Sequence, residues 1–200
     1  MRASTERVFV AGPAGRIECA LDRPNAAEGA PRRAALIAHP HPLYGGTLDN
    51  KVVQTLARAF VELGYEACRP NFRGIGQSEG RYDEGRGEVE DLLSVYKEID
   101  SETTLLAGFS FGAAMQARLA QRVTASRLVL VGVAVANFET PNVPQDTLVI
   151  HGEQDETVPL AAVLDWARPQ ELPVVLAPGA DHFFNRKLGL LRRIVENFCE

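Results

Sequence analysis

Short runs of apolar, often β-branched residues alternate along this chain with longer segments whose apolar positions recur at a helical period. RVFVAG (7–12) and RIECALDRP (16–24) read as two opening strands. The first closes at Gly12-Pro13, and the second leads into a polar loop, RPNAAEGAPRR, bearing Pro24 and Pro31. From AALIAHP (34–40) onward, strand and helix take turns. NKVVQTLARAFVELG (50–64) sets Val52, Val53, Leu56, Ala59, Phe60 and Leu63 at helical spacing and ends at Gly64, a C-cap residue. YEACRPNF, TTLLAGF, RLVLVGVAV, DTLVIHG and LPVVLAP supply the later strands. GEVEDLLSVYKEI, FGAAMQARLAQRV, LAAVLDWAR and LGLLRRIVENF supply the helices between and after them. Each parallel strand pair needs a crossover, so the alternation predicts an α/β fold: a mostly parallel sheet of about eight strands covered by helices. With 200 residues, no repeat and no low-complexity linker, one domain over 1–200 is expected.

Composition narrows what such a sheet can serve. A net charge of -5, with 46% hydrophobic and 24% charged residues, is ordinary for a soluble globular protein and wrong for a nucleic-acid groove. The longest apolar stretch, LVLVGVAVA (128–136), is far short of the roughly 20 residues a membrane helix needs and reads as a buried strand. No apolar segment follows the basic residue at the N-terminus, so a cytoplasmic protein without membrane or nucleic-acid partners is expected. Cys19, Cys68 and Cys199 are scattered and odd in number, which fits reduced thiols better than a disulfide framework or a zinc site.

In open α/β sheets ligands bind beyond the carboxyl ends of the strands, so the residues that directly follow strands carry the chemistry. GFSFG (108–112) lies where TTLLAGF meets the next helix. A serine on a tight strand-to-helix turn has strained backbone angles, and glycines two residues to either side remove side chains that would collide. Ser110 is therefore a nucleophile candidate, with the Phe111 N–H and the helix N-terminus directed at a developing oxyanion.

A serine hydroxyl needs a base, and the base needs an acid to fix its tautomer. Both are expected at later strand ends, in the order serine, acid, histidine. LVIHGEQDETVP offers Asp155, flanked by Glu153 and Glu156, either of which could also orient the base. VVLAPGADHFF offers His182, with Asp181 beside it as a loop-capping or solvated carboxylate; His151, ending a strand, reads as structural.

HPHPLYGG (39–46) holds two of the four histidines and admits two readings. A metal site would recruit His39 and His41 with His151, His182, Asp49 or Asp155. Yet no helical His-x-x-x-His pair or His-x-His-x-Asp-His run is present, and a metal on His182 would leave Ser110 without a base. As backbone, the loop supplies an oxyanion donor. Pro40 and Pro42 lack an N–H, which leaves the His41 amide between them and Leu43 next.

With Gly108-Phe-Ser-Phe-Gly112, Asp155 and His182 in order, nearly the whole chain resembles the α/β-hydrolase superfamily. HPHPLYGGTLDNKVV together with RPNFRGIGQSEG looks like the small capless bacterial serine hydrolases related to dienelactone hydrolases. Those lactonases use a cysteine where this chain has Ser110, so their substrate is not carried over. Many members have Asp-x-Arg-Gly where this chain has Asn71-Phe72-Arg73-Gly74, a loop expected to be structural, with Arg73 anchoring its neighbours. The segment before Val158-Pro159 matches the family pattern and selects Asp155 as the acid. The third position of the His-Pro-x turn selects His41 as the second oxyanion donor. Only NFETPNVPQ (137–145) separates the sixth strand from the seventh, too short for a lid domain.

The resemblance implies a serine hydrolase that cleaves carboxylic esters of small or medium acyl groups through an acyl-enzyme. An acyl thioesterase with the same residues is the nearest alternative, and a non-catalytic binding module of the same fold is the alternative of another class. Leu43, Tyr44, Phe109, Phe111, Phe138, Phe183 and Phe184 are candidates for apolar walls of an open site. Neither a cofactor nor a metal is expected, and the protein is expected to be a monomer or homodimer acting on a small ester or thioester.

Overall fold

The computed structural model describes residues 5–25 and 30–200. The first four residues of the terminus read above, and residues 26–29 of the polar loop, lie outside the described residues. Among these residues eight strands form one sheet: β1 (Thr5–Gly12), β2 (Gly15–Asp22), β3 (Arg33–Ala38), β4 (Glu66–Pro70), β5 (Thr103–Phe109), β6 (Leu128–Val131), β7 (Leu148–Gly152) and β8 (Val174–Ala177). Their spatial order is β1-β2-β4-β3-β5-β6-β7-β8. The opening hairpin is antiparallel and β2 pairs antiparallel with β4, while every pair from β4 to β8 is parallel. The mostly parallel α/β sheet expected from the alternation is the observed one.

Among the described residues five α-helices cover it: α1 (Lys51–Glu62), α2 (Arg86–Glu98), α3 (Phe111–Leu119), α4 (Leu160–Ala167) and α5 (Leu188–Cys199). Alternate strand residues face opposite sides, and two cores result. On one face Val52, Leu56 and Phe60 of α1 and Leu191 and Val195 of α5 pack on Ile37, Leu105 and Val129. On the other, Val89 and Leu92 of α2, Met115 of α3 and Val163 of α4 pack on Leu36, Leu106 and Leu130. The central strands β3, β5, β6 and β7 are apolar on both sides because both sides are covered. All three cysteines are buried free thiols. Among the described residues no helix is long and apolar enough to cross a membrane.

Most element ends lie within about two residues of the expected ones, and two depart further. The run read as a strand over 127–135 stops at Val131, where Gly132 adopts φ 52 and its N–H bonds to Ile150 O (2.8 Å). An apolar run looks the same in a buried strand and in a buried loop, so periodicity does not mark this end. Helix α3 ends at Leu119 rather than at Val123, with a short turn in between.

Candidate active site

The site follows from the strand order. After β3 the chain crosses to one side, to β4, and after β5 to the other, to β6, so the connections diverge between β3 and β5. A crevice opens beyond the carboxyl ends at such a reversal. Ala38 pairs with Gly108 there, which sets the loop at His39 beside the turn at Ser110.

Ser110 has φ 56 and ψ −116, a region bulky residues avoid, and its N–H is held by Val131 O at 2.8 Å. The flanking glycines allow this turn through close approach. A Cβ on Gly108 would lie 2.5 Å from the Gly112 carbonyl carbon. One on Gly112 would press on the Ala38 carbonyl and lie 2.5 Å from His39 O. Helix α3 thus abuts the end of β3 with no room for a methyl group.

His182, in the loop after β8, places Nε2 3.1 Å from Ser110 Oγ and Nδ1 2.7 Å from Asp155 Oδ2. Asp155 lies just past β7, in a turn that its own side chain closes: Oδ1 accepts the Thr157 and Val158 N–H groups at 2.9 and 2.8 Å. Burial pushes this carboxyl up. The bonds from His182 and Val158, with the neighbouring imidazoles, outweigh it and hold Asp155 below the ordinary carboxylate range. An ionised Asp155 keeps the proton on His182 Nδ1 and leaves Nε2 as an acceptor facing the serine hydroxyl.

The competing carboxylates are engaged elsewhere. Glu153 accepts the Gly179 N–H (2.7 Å), and Asp181 caps a turn by accepting the Asn185 N–H (2.9 Å) and side-chain amide (2.6 Å). Glu156 is exposed. His151 is buried, with Nε2 3.1 Å from Val158 O and 3.7 Å from Asp155 Oδ2. Burial keeps it neutral against the pull of that carboxylate, so it donates to the same turn that holds Asp155. Gly132, which the sequence reading passed over, lies against the His182 ring: its Cβ would be 3.3 Å from Cε1. Only its position inside an apolar run could have marked it.

Two amides near the turn at Ser110 (the elbow between β5 and α3), those of His41 and Phe111, have no acceptor among the described residues. The Leu43 amide, the other possibility, donates to the His41 ring at Nδ1 (3.2 Å) and is occupied. The imidazoles of the His-Pro-His run are fully used by the protein. His39 accepts the Phe72 N–H at Nε2 (3.0 Å), and its Nδ1 lies 2.7 Å from Pro40 O, to which it donates. Burial drives its pKa down to about 4. Among the described residues no group of three or more His, Cys, Asp or Glu side chains could hold a metal ion. Arg73, expected to anchor its loop, makes two 2.8 Å bonds to Asp91 and one to Gly87 O.

No protein-family model matches the chain. A lidless α/β serine hydrolase from Xanthomonas campestris is 34% identical and superposes with a TM-score of 0.91 over 99% of this chain and 94% of its own. The chain belongs to the α/β serine hydrolases. An α/β serine hydrolase homologue from Coxiella burnetii is 39% identical, with a TM-score of 0.86 over 96% of each chain. An uncharacterized protein of Rickettsia prowazekii is 30% identical over 215 residues, covering 96% of this chain and 87% of its own length.

In this α/β serine hydrolase no helix or strand separates Val131 from Leu148, so no lid is inserted there. Of the residues expected as apolar walls, Leu43, Tyr44 and Phe183 are 63%, 86% and 42% exposed. The half-buried Phe138 packs on Phe111 at 4.9 Å. Phe109, expected as a pocket wall, is fully buried with its ring 4.9 Å from that of His182, and supports the imidazole from below. Phe184 is likewise buried in the core, because strand-side alternation and the turn at Asp181 direct both rings inward. Phe111 is also buried, leaving its amide as the group available to the site.

Proposed function

We propose that this hydrolase cleaves carboxylic esters of small or medium acyl groups through an acyl-enzyme, with Ser110 as nucleophile, His182 as base and Asp155 as its orienting acid. The observation that carries the reading is the unbroken chain of contacts from Ser110 Oγ through His182 to Asp155, at 3.1 and 2.7 Å. His182 Nε2 takes the hydroxyl proton as Oγ attacks the carbonyl carbon. The imidazolium formed is stabilised by the Asp155 carboxylate. The carbonyl oxygen becomes an oxyanion bound by the His41 and Phe111 N–H groups, and His182 returns the proton to the departing alkoxide. Water then repeats the sequence on the acyl-serine and releases the acid.

A lidless site with the separate, exposed side chains of Leu43, Tyr44 and Phe183 suits a compact acyl group better than a long chain. Acyl thioesters would pass through the same intermediate. The test is a panel of p-nitrophenyl esters of increasing acyl length, with coenzyme A thioesters of the same acids, run beside Ser110→Ala. Turnover of the short esters by wild type, lost in the variant, is the expected result. Equal rates for the two proteins would overturn the reading. A profile flat in chain length would remove Leu43, Tyr44, Phe138 and Phe183 as acyl contacts.

A further inference from the structure

The mechanism above uses the amide of His41 and leaves its ring without a task, yet the ring is among the most heavily engaged side chains at the site. Its Nδ1 accepts the Leu43 N–H (3.2 Å), so the imidazole is the N-cap of the short 3-10 turn at Pro42–Tyr44. A neutral imidazole with a bare Nδ1 carries its proton on Nε2, and that atom lies 3.2 Å from Tyr82 Oη, an acceptor for it. The rings of Tyr44, Tyr82, Phe111 and Phe138 surround it at 4.7 to 5.6 Å. Burial lowers its pKa, which preserves the lone pair the cap requires.

The phenol is itself fastened. Tyr82 precedes α2, where the buried Glu88 carboxylate accepts the Asp83 and Gly85 N–H groups at 2.9 and 2.8 Å. The carbonyl of His41 accepts the Tyr44 and Gly46 N–H groups at 3.1 and 3.0 Å, so the far side of the residue is pinned too. A residue whose ring and carbonyl are both fixed has little freedom left in the direction of its own amide.

We propose that Tyr82 and the His41 imidazole are positioning residues of the oxyanion site: the phenol fixes the ring's tautomer, and the ring, by capping its own turn, aims the His41 amide at the reacting carbonyl. This rests on the serine-hydrolase reading above. Tyr82 sits far along the chain from the elbow, in a loop that carries no strand-end chemistry of its own. A well-aimed amide acts on the developing oxyanion and not on the bound ester, so its misalignment lowers kcat and leaves KM in place.

The experiment is steady-state hydrolysis of p-nitrophenyl acetate by wild type, Tyr82→Phe, His41→Ala, His41→Asn and Ser110→Ala, with 15N chemical shifts of the His41 ring. Tyr82→Phe is expected to lower kcat about tenfold with KM within about twofold, since it loosens a donor whose outright loss costs about a hundredfold or more. His41→Ala is expected to lose about a hundredfold, and His41→Asn to recover about fivefold of that, because an asparagine oxygen can cap the same turn. The wild-type shifts should place the proton on Nε2, with a tautomer mixture in Tyr82→Phe. Unchanged kcat in Tyr82→Phe, a raised KM in its place, an Asn variant no better than Ala, or a wild-type proton on Nδ1 would each overturn the proposal. Equal activity of Ser110→Ala and wild type would instead overturn the serine-hydrolase reading on which it rests.

Discussion

The turn at Ser110 and the loop at His39–Gly46 face each other across the gap between β3 and β5, and they divide labour in opposite ways. On the reading proposed above, the backbone at the first is distorted so that a side chain can act: Ser110 sits at φ 56, with glycines on both sides making the room. At the second, on the same reading, side chains are used so that a backbone can act. His39 ties the loop to Phe72, His41 caps its own turn, and what remains open is the His41 amide. Counting reactive residue types would rank the second loop as the richer in chemistry, since it holds two imidazoles. Counting which atoms are free reverses the ranking.

Substitutions at the two places should therefore fail differently. Ser110→Ala removes the acting atom and leaves the fold alone: ester hydrolysis is expected to fall about 10^4-fold or more, with an unchanged melting temperature. Gly112→Ala attacks the junction of the two. Its methyl group would press on the backbone carbonyls of Ala38 and His39, neither of which can swing away, so a loss of about 3 kcal/mol in denaturant unfolding is expected along with activity.

His39→Ala tests the clamp. It strands the buried Phe72 N–H and Pro40 carbonyl and opens a void, an expected loss of about 3 kcal/mol read by denaturant unfolding. The same residue gives a pH signature. Its folded pKa of about 4 lies below the ordinary 6.5, so between those values the unfolded chain takes up a proton that the folded one refuses. Its contribution is thus fully present above about pH 6.5 and declines as pH falls toward 4, by up to about 3 kcal/mol. The difference in unfolding free energy between wild type and His39→Gln, measured from pH 7 to pH 4, should shrink over that window; a constant difference would remove the clamp from the account. The smallest effect is expected at Glu153→Ala. That carboxylate holds the Gly179 N–H and not His182, so kcat should stay within about twofold.

Much of this was legible in the chain because it depends on short-range pattern. Alternating periods implied the α/β sheet, and GFSFG between a strand and a helix drew attention to Ser110. Strand ends drew attention to Asp155 and His182, and the structure brings these side chains within hydrogen-bonding distance of one another. What stayed hidden depends on pairing across distance. Nothing near His39 announces Phe72 as its partner, nothing near Tyr82 announces His41, and Gly132 meets His182 only because β6 ends early. Phe109 shows the same limit from the other side. An aromatic residue at a strand end suggests a pocket wall, but which way it points depends on the strand's register, and here it points into the core beneath His182.

The central proposal is that one serine, activated by His182 at the sheet switch, does the chemistry. Reaction with a fluorophosphonate, followed by mass spectrometry of the digested protein, tests it most directly. A single phosphonyl adduct on Ser110, absent from Ser110→Ala and slowed in His182→Ala, is the expected result. An unlabelled wild type, or an adduct that persists in Ser110→Ala, would contradict it.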